Sequence, residues 1–293
     1  MEENPSSKEK LIENMVQEKQ VRNNFISIEQ ILPKLCQEKI FCCCIDYDLT
    51  ISEFKSFNNL KKKVIPPYNP SNQEHEKILQ DLMNKTKELL NINNDNNSSE
   101  ITEITSKEKN NEENKEDGNI WRKIGFQSNE PRNDFRAGGI YSLELMIYFI
   151  NKYEKEYINI LNEDYFTFAL TCIRVSYLIR TYLYLLTNEE LRINTKFHLG
   201  ILSNRKQLKY FCYFLFDNDN LLSDICCICI LSIFQKFKEQ KTGQKEKNYL
   251  IIEPIIQSSI QDLQNSLESA NIHEDFIEHL KQSYRLNFLK NLN

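Results

Sequence analysis

The chain has 293 residues and a mass of 34.9 kDa, enough to bury the core of one large domain or two small ones. Its formal net charge of −5 excludes the basic excess of a general nucleic-acid-binding protein. With only six glycines and seven prolines, it is short of the left-handed and turn residues that tight-turned β architectures and phosphate-loop α/β folds require.

The opening stretch MEENPSSKEKLIEN is charged and lacks an apolar h-region, so no signal peptide is expected. Residues 7–24 read as a polar helix. Ser27-Ile28-Glu29-Gln30 fits a capping box for a second helix, with Pro33 limiting its first turn. Phe41 to Ile45 is an apolar run that suits a strand or a buried helix equally. Pro66-Pro67-Tyr68-Asn69-Pro70 is a breaker biased to extended backbone. Gln73 to Leu90 returns to helix, with Ile78, Leu79, Leu82, Met83, Leu89 and Leu90 on one face.

Residues 91–119 are rich in Asn, Glu and Lys and nearly devoid of apolar side chains. Such a segment cannot bury enough surface to offset its ordering entropy, so a disordered polar insert in a surface loop is expected. Asp95 to Asp117 alone carries eight acidic and three basic residues, which leaves the rest of the chain electrically balanced.

From residue 140 onward the helical signal is nearly continuous. Residues 140–155 place Ile140, Leu143, Ile147 and Ile150 in register. Residues 163–186 read as one long apolar helix, and Thr187 to Glu190 as a capping box for a short one. Helices over 205–216 and 221–239 follow. Ser258-Ser259-Ile260-Gln261 caps a helix to Ala270, and Phe276, Leu280 and Phe288 mark a last helix to about Leu292. The expected fold is all-α, an irregular multi-helix bundle with a disordered polar insert. Its expected parts are an N-terminal helical extension (1–72), a central domain (73–240, with the insert at 91–119) and a C-terminal helical extension (241–293).

Six of the nine cysteines cluster as Cys42-Cys43-Cys44 and Cys226-Cys227-Ile228-Cys229 inside apolar runs. That placement suits a reducing, cytoplasmic setting in which free Cys acts as a small hydrophobe. The spacing of a zinc site is missing, so neither metal nor cofactor is expected. The run Ile225 to Phe234 is too short to span a bilayer, and Tyr165 to Leu186 carries Arg174 and Arg180, costly in lipid. Both read as core helices.

Two fragments suggest an enzyme. CIDYDLT sets Asp46 and Asp48 in a D-x-D-x-T pattern, and ILSN ends an apolar run at Ser203-Asn204. Together they resemble the first two motifs of haloacid dehalogenase-like phosphatases, where the first Asp attacks a phosphoryl group and the second serves as general acid and base. That fold needs a parallel sheet and a downstream acidic pair for magnesium. No such pair follows Asn204, and the residues around Asn204 read as a helix start.

The stretch WRKIGFQSNEPRNDFRAGG, Trp121 to Gly139, holds three of the six glycines and the single tryptophan. Trp121, Ile124 and Phe126 can anchor it by burial, Pro131 fixes a turn, and Asn133 or Asp134 can cap a helix. Gly138 and Gly139 permit close backbone approach or a left-handed turn. Arg136 then stands at a turn near a helix start. Its plain structural role would be to pair with Asp134, Glu130 or a helix carboxyl end.

This stretch resembles the signature of the ELMO (engulfment and cell motility) domain, W-x-x-x-G-F-Q-x-x-x-P-x-T-D-F-R-G-x-G-x-x-x-L. Trp121, Gly125, Phe126, Gln127, Pro131, Asp134, Phe135, Arg136, Gly139 and Leu143 match at the right spacing. Asn133 stands where the pattern has Thr and Ala137 where it has Gly. The resemblance implies an all-α domain and one of two functions. Short members resemble GTPase-activating proteins for Arf-family and Arf-like small GTPases, with the signature arginine, here Arg136, implicated in activity. Long members act as non-catalytic scaffolds for exchange factors and generally lack that arginine. The sequence keeps Arg136 and has no proline-rich tail, which resembles the short branch. The resemblance implies a GTPase activator more than an enzyme with its own substrate. The expected partner is an Arf-family or Arf-like GTPase, with membrane association at most peripheral and through that partner.

Overall fold

The computed structural model describes residues 25–27, 48–95, 120–187, 189–191, 202–241, 252–271, 275–284 and 286. Expectations for 7–24, 28–47 and 96–119 lie outside the described residues. Among the described residues the fold is all-α apart from one short antiparallel pair. Strand β1 (Phe25–Ser27) meets β2 (Asp48–Thr50) in the register Phe25 to Thr50, Ile26 to Leu49 and Ser27 to Asp48.

Helix α1 (Ile51–Val64) was not foreseen. Its start is a complete capping box: the Glu53 amide donates to the Thr50 hydroxyl, and the Glu53 carboxylate accepts from the Thr50 amide. The D-x-D-x-T fragment therefore ends in a helix cap rather than a catalytic loop. Asn204 is likewise the N-cap of a helix, in a reciprocal box with Gln207. Asp48 lies on an antiparallel strand and Asn204 at a helix start, so the phosphatase arrangement of neighbouring parallel strand ends is not built.

Helix α2 (Gln73–Asp95) continues five residues past Leu90 into the expected insert. Leu79, Leu82, Met83 and Leu89 face the core, as the 3.6-residue period requires. The expected helix over 140–155 is two: α3 (Gly139–Lys152) and α4 (Glu154–Leu161), divided at Tyr153, whose φ of −132° and ψ of 50° are not helical. The long apolar stretch yields a shorter α5 (Phe168–Tyr182), flanked by Tyr165 and Tyr184 at positive φ of 74° and 58°. The Thr187–Glu190 capping box is present, with residues 189–191 helical.

Helices α6 (Arg205–Asp217) and α7 (Leu221–Lys241) fall close to expectation. Helix α8 (Ile252–Ser269) starts six residues before the anticipated cap at Ser258. Pro254 sits in its first turn, where a missing N–H costs nothing. Helix α9 (Phe276–Ser283) is capped at its start by Asp275; the expectation for 287–292 lies outside the described residues.

Helices α5 and α7 form the centre. Twelve residues of α5 are buried, including Arg180, and Ile225 to Leu231 of α7 are buried without a break. A helix apolar on every face must be enclosed by others, and α3, α8 and α9 pack around this pair. Helix α2 covers α3, and α1 bridges α6 and α3. One continuous apolar cluster runs from Leu49 to Leu286. No single helix among the described residues is long and apolar enough to cross a membrane.

Candidate functional site

The signature stretch is a chain of backbone devices. Residues 120–124 form a helical turn that ends at Gly125, whose φ is +98°. The Gly125 amide donates to the Arg122 carbonyl and the Phe126 amide to the Trp121 carbonyl, at 3.0 and 3.1 Å. That pair of bonds, with an apolar contact between the residues at its two ends, is a Schellman helix stop. The contact is the edge-on packing of Trp121 on Phe126, ring centroids 5.5 Å apart. The spacing W-x-x-x-G-F is thus the spacing of a helix terminator. No Cβ fits at Gly125, since it would lie 2.6 Å from the Phe168 amide nitrogen.

The chain then turns back. The Asp134 carboxylate accepts from the Gln127 amide at 2.9 Å, which closes the loop 127–134. Neither Asn133 nor Asp134 caps a helix, contrary to expectation; the residue at the N-cap of α3 is Gly138. Pro131 opens a 3-10 turn, Pro131–Arg136, at the position where its missing donor is harmless. Phe135 is buried between Tyr68, stacked at 4.9 Å, and Phe126, edge-on at 5.7 Å.

Gly139 begins α3 with φ +61°, and a Cβ there would lie 2.6 Å from the Pro66 carbonyl oxygen. That oxygen accepts from the Ile140 amide at 3.2 Å. The Pro66-Pro67 breaker is therefore docked against the start of α3. Ala137, which replaces a glycine of the pattern, has φ −87° and ψ −38°, an ordinary right-handed conformation. Leu143 is fully buried in the core.

Four arginines lie around this turn, and their surroundings differ; Arg122 donates to the Asn129 side-chain oxygen at 2.9 Å. Arg132 is paired: its guanidinium meets Glu76 at 2.6 Å and Glu130 at 2.8 Å. Its hydrogen bonds, joined by one from Tyr68, hold the Glu76 carboxyl below its ordinary value. Arg180 is buried in α5 and donates to backbone carbonyls of this region. Arg136 is exposed and makes no hydrogen bond or ion pair with its expected partners. Asp134 is engaged by the Gln127 amide and Glu130 by Arg132. The Gln127 side chain is exposed as well; only its amide is used.

The structure thus brings Trp121, Gly125, Phe126, Pro131, Asp134, Phe135 and Gly139 together as scaffold and leaves Arg136 and Gln127 on the surface. Sequence reasoning missed Tyr68, Pro66 and Arg180 as members of this region. Only the double-proline breaker hinted at them. A cleft of about 300 Å³ lies elsewhere, between α4 and α7, lined by Glu156, Leu231, Phe234 and Lys238 among others. No signature residue touches it. Among the described residues no cluster of His, Cys, Asp and Glu could hold a metal ion.

The sequence matches the model of the ELMO/CED-12 family over residues 58–251. It is 26% identical over 163 residues to the human ELMO domain-containing protein 2, covering 52% of this chain and 46% of the relative. To the protein of the same name from Bos taurus it is 26% identical over 231 residues, 73% of this chain and 64% of the relative. A short match, 41% identical over 44 residues, links it to ELMO domain-containing protein A of Dictyostelium discoideum, covering 15% of this chain and 4% of that protein. The chain thus spans about half to two thirds of the length of the two relatives named ELMO domain-containing protein 2.

Proposed function

The chain belongs to the ELMO/CED-12 family, and from that premise we propose that it activates GTP hydrolysis on an Arf-family or Arf-like small GTPase by supplying Arg136 in trans. The observation that carries this reading is the state of Arg136. Apart from the Gln127 side chain, its neighbours in the signature are accounted for by contacts within the fold, whereas Arg136 is exposed and has no partner among the described residues. An arginine held for an ion pair would have taken Asp134 or Glu130, and both are occupied by other donors.

The chemistry follows from charge. GTP hydrolysis places negative charge on the transferring phosphoryl oxygens and on the bridging oxygen that leaves. A guanidinium inserted from a partner neutralises that charge, an effect worth on the order of 10³–10⁵ in rate. Arginine suits the task because it is always charged and presents a planar fork of donors. The GTPase would supply nucleotide, magnesium and the attacking water. This chain would supply Arg136 and a docking surface that includes Gln127, so the site calls for no pocket of its own.

The test is a single-turnover assay on GTP-loaded GTPases of this class with wild type, Arg136→Lys and Asp134→Asn, and a thermal melt of each. Arg136→Lys keeps the charge and loses the fork. It should remove most of the acceleration, a fall on the order of 10² or more, while binding persists. Since Arg136 makes no hydrogen bond or ion pair among the described residues, the melt of this variant should stay within about 2 °C of wild type. Full activity of folded Arg136→Lys would overturn the mechanism. Inactivity of wild type on every such GTPase would point instead to a non-catalytic adaptor.

A further inference from the structure

Arg180 is only 2% exposed, and among the described residues no carboxylate lies within ion-pairing distance of it. Burying an uncompensated guanidinium is costly, so something must satisfy it. Its donors are used on backbone carbonyls. One terminal nitrogen, Nη1, reaches the Val64 carbonyl at 2.7 Å. The other, Nη2, reaches the carbonyls of Ala137 and Gly138, both at 2.9 Å. Its Nε donates to Ser176 in its own helix at 3.3 Å, and the guanidinium lies 5.9 Å from the centre of the Tyr141 ring.

These acceptors are not arbitrary. Val64 is the last residue of α1, where carbonyls lack intrahelical partners and the helix end carries partial negative charge. Ala137 and Gly138 are the two residues that follow Arg136. One buried side chain thus ties the end of α1 to the turn that carries the exposed arginine. The Ile140 amide, bonded to Pro66 two residues beyond Val64, adds a second tie between the same two segments.

We propose that Arg180 is a positioning residue: its planar fork clamps the Ala137–Gly138 turn to the end of α1 and so sets the direction in which Arg136 leaves the surface. The role in GTP hydrolysis rests on the reading above; the clamp itself does not. A lysine cannot replace it, because a single ammonium on a narrower stem cannot span carbonyls from two segments in one plane.

The experiment has two arms on the full chain. In the first, hydrogen exchange is compared between wild type and Arg180→Lys. Exchange at Ile140, whose amide is bonded to Pro66, should quicken about tenfold or more as the turn loosens from the end of α1, with the amides of α7 unchanged. Unaltered exchange at Ile140 would overturn the clamp. Nitrogen-detected NMR of wild type guards against a variant that does not fold. The Arg180 guanidinium protons should be resolved and slow to rotate and those of Arg136 averaged; averaged Arg180 signals would also overturn it. In the second arm, single-turnover GTP hydrolysis is measured for Arg180→Lys with Arg136 intact and with Arg136→Ala. The maximal rate should fall about tenfold or more with half-saturation unchanged, and the change should add nothing when Arg136 is already absent. Equal losses in both backgrounds, or a change confined to half-saturation, would overturn the positioning role. An inactive wild type would overturn the GTPase reading alone, while the exchange arm still judges the clamp.

Discussion

Gly139→Ala is the sharpest stability test of how the signature turn is built. Two costs meet there. At φ +61° an L side chain is strained, by roughly 1–2 kcal/mol. The new Cβ would also sit 2.6 Å from the Pro66 carbonyl oxygen, where ordinary contact begins at 3.4 Å. Relief requires about 0.8 Å of separation, the difference of those two distances. The Ile140 amide bond to that oxygen, now 3.2 Å, would then stretch beyond hydrogen-bonding range. Losing it costs about 1 kcal/mol. Pro66 is backbone followed by Pro67, with fixed φ at both, so the obstacle cannot swing aside as a side chain would. The sum is about 2–3 kcal/mol, which for a chain of this size corresponds to roughly 5–10 °C in melting temperature. The control is Ala137→Gly, two residues earlier in a right-handed conformation, where the cost should not exceed about 1 kcal/mol. Both are read by thermal and urea unfolding. A Gly139→Ala protein that melts within about 2 °C of wild type would refute the reasoning.

The Glu76–Arg132 pair predicts a pH dependence. The Glu76 carboxyl is held below its ordinary value, chiefly by hydrogen bonds from Arg132, so its stabilisation is present above the unfolded value and lost as pH falls through the folded one. The melting difference between wild type and Glu76→Gln should therefore shrink from pH 7 toward pH 3. With Arg132 42% and Glu76 29% exposed, the difference at pH 7 should be about 1 kcal/mol or less, and one that grew on acidification would contradict the assignment. The buried thiols give another prediction. Burial raises Cys172, Cys212, Cys226 and Cys227 and pushes Cys229 up to about 12. Peptide mass spectrometry after alkylation at neutral pH should find these five unmodified in the native protein and all modified in guanidinium. Native-state labelling of any of them at the rate of an unfolded thiol would contradict the packing of α5, α6 or α7.

The helical character was legible because it rests on repeating patterns. Six apolar positions of α2 and the caps at Thr187 and Asn204 were visible in the sequence. Element ends were harder. The start of α1 is masked in the sequence because Thr50, its cap, is also the Thr of the D-x-D-x-T fragment, while its capping partner Glu53 stands three residues on. The bounds of α5 were overextended because its flanking turns use Tyr165 and Tyr184 at positive φ instead of glycine, which leaves no sequence mark. In the case of Tyr184 the hydroxyl donates to the Ser203 carbonyl at 3.0 Å, a contact between distant segments that holds the conformation. The site was legible as a motif, but its internal logic was not. The W-x-x-x-G-F spacing becomes a helix stop only once the bonds between Gly125, Phe126 and the preceding turn are known.

Three arginines make the same point from chemistry. The motif marks Arg136 in the sequence, but only their partners show how Arg132, Arg136 and Arg180 differ in the fold. Arg132 is spent on two carboxylates at the surface. An arginine aimed at another molecule's phosphates has a different requirement, since it must be held in place without being neutralised. A carboxylate partner would hold Arg136 and cancel its charge together. Backbone carbonyls gathered by a second, buried arginine hold the turn instead of the side chain. Under the proposal they would fix where the guanidinium of Arg136 starts from and leave its charge available. Among the described residues Arg136 has no ion pair and Arg180 no carboxylate, and under the proposed clamp the carbonyls of Ala137 and Gly138 that satisfy the buried cation would also orient the exposed one.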